Sequence, residues 1–173
     1  MIEGVCYVAE GDVLISVLVD GEECDIYFSD LYPYWSDATA DKEEGGVAIV
    51  QGNYVVGIAL VSGRQGGAVY VWDSTQKKIV HVSEGSFGVS PLIFDNMVYA
   101  LRCVSQWAVA PHFVLTRSKF GVKDADADFE VVRCSIPCDV NDFDGDFEKI
   151  SLIGDSNGLA ILLNGVEYRI VMN

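Results

Sequence analysis

Residues 159–172 read LAILLNGVEYRIVM, two apolar-rich runs hinged on Asn164-Gly165. An Asn-Gly pair accepts the positive φ that both centres of a type I′ turn require, and that turn matches the twist of an antiparallel hairpin. Folding the stretch there sets Leu163 opposite Val166, Ile161 opposite Tyr168 and Leu159 opposite Ile170. The other face receives Leu162 with Glu167 and Ala160 with Arg169. One face is apolar and one is mixed, as a half-buried antiparallel pair requires.

The same grammar recurs along the chain. VLISVLV and EECDIYF flank Asp20-Gly21, which predicts Val17 opposite Cys24, Ile15 opposite Ile26 and Val13 opposite Phe28. The second face pairs Leu14 with Tyr27, Ser16 with Asp25 and Leu18 with Glu23. VAIVQ-GN-YVVGIALV and PLIF-DN-MVYALR are also hairpins, but they are apolar on both faces, so they belong where the structure covers them from both sides. Further strands are expected at 68–72, 78–82, 113–116, 129–134 and 149–153. One short helix is expected at 37–44, with Ser36 as N-cap and Gly45 as its stop.

Composition agrees. The 173 residues include 25 Val and 12 Ile against 11 Leu, an excess of β-branched side chains that suit a pleated surface. The sequence thus predicts a single all-β domain over 1–173, built of antiparallel hairpins and meanders with at most one short helix. With 26 acidic and 11 basic residues the net charge is −15. The basic residues are scattered, apart from Lys77-Lys78, which excludes the basic stripe of a nucleic-acid binder and disfavours an anionic membrane surface. No basic segment followed by an apolar run opens the chain and no apolar stretch nears 18 residues, so it reads as cytoplasmic. Five cysteines at irregular spacings read as free thiols rather than a disulfide framework. The acid residues concentrate in three segments, 36–44, 123–130 and 138–148, expected as solvated loops.

Between Val47 and Val104 the pattern repeats. VAIVQGNYVVGIALVSGRQGGAVYVWDSTQKKIVHV reads as four short strands, and VSPLIFDNMVYALRCV restarts the series about 43 residues on, near the ~40–45-residue period of a propeller blade. Here the chain resembles β-propeller blades of the WD-repeat type, through Val71-Trp72-Asp73 and the turn after it. That resemblance implies propeller-like blades; a barrel or a two-sheet sandwich built from the same meanders is the alternative.

Gly154-Asp155-Ser156-Asn157-Gly158 resembles the nucleophile loop of chymotrypsin-like serine proteases, with Asn157 in place of a glycine. The resemblance implies Ser156 as nucleophile, the N–H groups of Ser156 and Gly154 as oxyanion hole, and His81 and Asp95 as base and orienter. The plainer account is a hairpin loop, for which Gly, Asp, Ser and Asn are the usual residues. No cofactor or metal is expected. CDVNDFDGDFE, aligned on Gly145 as a calcium loop, puts Val140 and Ser151 at positions that need carboxylates. Cys134-x₃-Cys138 lacks the matching second pair that zinc would take, unless Cys103 and His112 converge on it.

The densest chemistry lies at CDIYFSDLYPYWSD, residues 24–37, where aromatics alternate with acids. Tyr27, Asp30, Tyr32, Tyr34, Trp35 and Asp37 form the candidate binding set: the rings supply contact area and the carboxylates steer a basic partner. The competing account folds these rings onto the end of a sheet as a satellite core. The expected function is therefore a non-enzymatic recognition domain, an inhibitor or immunity-type partner of a basic protein, or a module that works as a homo-oligomer. A serine hydrolase using Ser156 is the alternative.

Overall fold

The computed structural model describes residues 1–6, 11–35, 43–61, 66–106, 109–127 and 129–173. The chain is all-β. It begins with a three-stranded meander, β1 (Ile2–Cys6), β2 (Val13–Val19) and β3 (Glu22–Tyr27), followed by two short 3₁₀ turns, Phe28–Asp30 and Tyr32–Tyr34. Two four-stranded meanders come next. The second meander along the chain holds β4 (Glu43–Gln51), β5 (Tyr54–Val61), β6 (Gly67–Asp73) and β7 (Lys78–Glu84). The third holds β8 (Gly88–Phe94), β9 (Met97–Gln106), β10 (Val109–Lys119) and β11 (Glu130–Val131). After a two-stranded pair of β12 (Cys134–Ser135) with β16 (Val171–Met172), a last meander is formed by β13 (Ile150–Asp155), β14 (Gly158–Leu163) and β15 (Val166–Arg169).

Turn chemistry places the hairpins as the sequence predicts. Asp20-Gly21, Asp95-Asn96 and Asn164-Gly165 all hold positive φ at both centres, and Gly52 holds it at the first centre of its turn. In the last hairpin Leu163 faces Val166, Ile161 faces Tyr168, Leu162 faces Glu167 and Ala160 faces Arg169. Beyond the ladder, the Ile170 N–H still donates to the Leu159 carbonyl at 3.0 Å. In the first hairpin the Val17–Cys24, Ile15–Ile26, Ser16–Asp25 and Leu18–Glu23 pairs form, but a bulge then sets Val13 opposite Tyr27. The predicted Val13–Phe28 and Leu14–Tyr27 pairs are displaced because Phe28 leaves the strand to open a 3₁₀ turn.

The sheets pack face to face in chain order, and the doubly apolar strands show how. Along β5, Val55 and Ala59 join the core shared with the first meander, whereas Val56, Ile58 and Leu60 join the core shared with the third. β6 divides likewise, with Ala68, Tyr70 and Trp72 on one side and Val69 and Val71 on the other. In β9, Val98 and Ala100 face the second meander while Tyr99 and Leu101 face the last. A period of two with both faces covered gives a continuous apolar run; a terminal sheet with one wet face gives alternation. The first strands of successive meanders, β1, β4, β8 and β13, approach one another in that order. Side chains join them: Gln51 both donates to and accepts from the Ile93 backbone (3.0 and 2.7 Å), and Ser90 Oγ accepts from the Leu152 N–H at 2.8 Å.

Two expectations change. The helix expected at 37–44 lies mostly outside the described residues, and its last two, Glu43 and Glu44, are extended and paired with Val61 and Leu60. The strand expected at 129–134 breaks at Val132-Arg133 into β11 and β12. Among the described residues no helix is long and apolar enough to cross a membrane.

Candidate interaction site

After β10 the chain does not simply loop through solvent. Val122–Asp124 lays itself along β7: the Val82 N–H donates to Val122 O at 2.7 Å and the Asp124 N–H to Val82 O at 3.0 Å. The next N–H, of Ala125, reaches Tyr34 O at 2.8 Å, and Ala125 is buried. This strap, expected as part of an acidic surface loop, thereby ties the second and third meanders to the 3₁₀ turns of the first. Its acidic residues serve it locally, with Asp124 Oδ1 accepting the Asp126 N–H at 2.9 Å.

The strap, the 3₁₀ turns and the β6–β7 turn enclose a cleft of about 680 Å³. Tyr27, Asp25, Asp30 and Tyr34 line it together with Lys77, Lys78 and Lys123. Tyr27 is 40 % exposed, enough to contact a partner. The Asp25 carboxylate, 3.4 Å from its hydroxyl, pushes the Tyr27 phenol above its ordinary value. Asp30 has a local duty as well, accepting the Tyr27 N–H at 3.0 Å and so fixing the entry to the turn. The Lys123 ammonium stands 6.0 Å from the centroid of the Tyr34 ring, within cation–π range.

Not every residue of the predicted set belongs to this surface. Trp35 is 4 % exposed and packs with Phe28, Leu31, Ile26 and Trp72, so it is core rather than contact. Tyr32 is half-buried against the same cluster. Asp37 lies outside the described residues. Three lysines that the aromatic-acidic motif gave no hint of complete the cleft. Two of them, Lys77 and Lys78, form the one adjacent basic pair in the chain; no local pattern marks Lys123.

The residues of the hydrolase reading do not share hydrogen bonds. His81 is fully buried. Its Nδ1 accepts the Gly121 N–H at 3.2 Å, so the neutral ring carries its proton on Nε2, which faces Ser83 Oγ at 2.9 Å and Ser118 Oγ at 3.3 Å. Both nitrogens are thus engaged, and neither Asp95 nor Ser156 is among their partners. Burial pushes His81 down to about 4. Asp95 occupies the first centre of the β8–β9 turn, and Ser156 sits exposed in the β13–β14 turn. There the Asp155 carboxylate is held by Arg169 at 2.6 and 2.8 Å and accepts the Asn157 N–H at 2.7 Å. Gly154 carries a packing demand instead: a Cβ at that position would stand 2.5 Å from the Phe94 ring.

The thiols are equally quiet. His112, Cys134 and Cys138 line a second cleft of about 420 Å³ without Cys103. Burial raises the Cys134 and Cys138 thiols above their ordinary values, which disfavours the thiolate a metal or a nucleophilic role needs. Among the described residues no three His, Cys, Asp or Glu side chains gather as a metal would require. The carboxylates of 138–148 cap their own turns: Asp139, Asp144 and Asp146 each accept the N–H two residues on.

No family model matches the chain, and no match is found for it among curated proteins or solved structures.

Proposed function

We propose that this chain is a recognition domain without catalytic activity, whose serial meanders act as propeller-like blades that present the Tyr27–Tyr34 cleft to a basic partner protein. The observation that carries the reading is the exposed ring of Tyr27, which lines the cleft together with Asp25 and Asp30. Tyrosine supplies large contact area at low entropic cost, and flanking carboxylates steer and orient a cation. The net charge of −15 favours approach of a basic surface over the whole molecule. An inhibitor or immunity-type role fits such a surface, since it needs docking and no chemistry. The propeller-like arrangement is supported by the face-to-face succession of sheets and by first strands that meet in chain order.

The test is a calorimetric titration with a short Arg/Lys-rich peptide at two salt concentrations. Binding that weakens with salt and falls about tenfold or more in Tyr27→Ala supports the reading. Equal affinity in wild type and Tyr27→Ala overturns it.

A further inference from the structure

We propose that the lysines of the cleft receive an anionic group, a carboxylate or phosphate, carried by the same partner segment whose cations face Asp25 and Asp30; this rests on the docking reading above. Three of the chain's 11 basic residues converge here from two distant segments. Elsewhere Arg102, Arg117, Lys149 and Arg169 each hold a carboxylate. In the cleft, Lys77 has only Glu22 at 3.6 Å, and Lys78 and Lys123 make no ion pair among the described residues. All three are exposed, and Lys123 is held in place by the backbone pairing of the strap to Val82.

Ammonium groups gathered in one cleft repel one another, and in so acidic a chain spare carboxylates to pair them are abundant. Lys78 and Lys123 stand in the cleft without a carboxylate in ion-pair contact among the described residues, so each offers an anion a partner at short range. The same net charge repels a wholly anionic ligand at long range. An occupant of mixed sign satisfies both conditions, its cation toward Asp25 and Asp30 and its anion toward Lys78 and Lys123. A cleft of about 680 Å³ takes several side chains rather than one ion, so a peptide segment fits it better than free phosphate.

The experiment compares a short basic peptide with versions carrying one glutamate or one phosphoserine at stepped distances from the basic residues. They are titrated against wild type and against the Lys78→Ser/Lys123→Ser double variant. Both lysines are exposed, and an unchanged thermal midpoint establishes that the variant is folded. The expected result is about a tenfold tighter binding by an anion-bearing peptide at one spacing, relative to the all-basic peptide on the same protein, and loss of that ratio in the double variant. A gain for glutamate and phosphoserine alike assigns a general anion site; a gain for phosphoserine alone assigns a phosphate site. If the basic peptide binds but neither anion improves it, or if the double variant keeps the gain, this inference falls while the docking reading stands. If no peptide binds wild type, both fall.

Discussion

The Gly121 N–H donates to Nδ1 of His81 across 3.2 Å, joining the strap to the buried edge of β7. A protonated imidazole has no lone pair at Nδ1, so this bond exists only while His81 is neutral. Burial and the bond act in the same direction, and the folded ring titrates near 4 rather than 6.5. The unfolded chain therefore binds the proton more readily. The contribution of His81 to stability is complete above about pH 6.5 and is lost as pH falls toward about 4, amounting to about 3 kcal/mol over the whole window. NMR titration of the ring should give a midpoint near 4. Urea unfolding of His81→Gln should show a shallower loss of stability on acidification from about pH 6.5 to 5. A ring midpoint near 6.5 contradicts the account.

Arg102 is the buried cation that joins the second and third meanders. It is 4 % exposed; its Nε donates to Thr116 Oγ1, Nη1 to Ser86 O and Nη2 to Glu84 O, each at 2.9 Å. Nη1 also pairs with the Glu84 carboxylate, and the Phe129 ring lies 4.3 Å from the guanidinium carbon. Arg102→Met takes the guanidinium from two carbonyls and from the Glu84 carboxylate, which keeps the Ser86 N–H at 2.7 Å, at an expected cost of about 3–5 kcal/mol in urea unfolding. Arg102→Lys should recover little, because a point charge cannot serve the guanidinium fork's separate acceptors. A loss below about 1 kcal/mol for either variant would show that water substitutes for the guanidinium.

Asp73 holds the β6–β7 turn that carries Lys77 and leads into Lys78 at the start of β7. Burial raises its carboxyl, but donation from Thr75 and Gln76 outweighs that and keeps the group below its ordinary value. Four contacts converge on it, two of them from the Thr75 N–H at 2.8 Å and the Thr75 hydroxyl at 2.6 Å. Asp73→Ala should cost about 1–3 kcal/mol. Because the folded carboxyl is the stronger acid, its stabilisation is present above its unfolded value and is lost as pH falls through the folded one. Asp73→Ala should accordingly flatten the acid limb of the stability curve. A variant as stable as wild type at pH 7 argues against the turn's dependence on this carboxylate.

Hairpins and their registers were legible because turn residues and face alternation are local. The Asn164-Gly165 ladder follows its predicted pairs as far as Ala160–Arg169, whereas the Asp20-Gly21 ladder departs where the bulge at Val13–Ile15 intervenes. The doubly apolar runs indicated burial on both sides, but not which sheets covered them; that depends on packing between segments far apart in sequence. The aromatic-acidic edge was half legible. Tyr27 and Asp30 line a cleft that the motif did not announce, and Trp35 is consumed by the core. Lys123 escaped notice because its place depends on the strap pairing with Val82, which no local pattern announces.

Gly154 and Ser156 separate a packing account of 154–158 from a catalytic one. A Cβ on Gly154 meets Phe94 Cδ2 at 2.5 Å, so Gly154→Ala must displace an aromatic ring that packs against the core of the third and last meanders. Such overpacking costs about 1–3 kcal/mol, and Phe94→Leu in the same chain should relieve part of it. Ser156 is exposed at the tip of its turn, so Ser156→Ala should change stability by no more than about 0.5 kcal/mol. A serine of this kind, without a histidine among its hydrogen-bond partners, lacks the base that activates a nucleophile. Incubation with a fluorophosphonate should leave the wild-type mass unchanged. Stoichiometric labelling at Ser156, abolished in Ser156→Ala, would instead establish the hydrolase and displace the recognition reading.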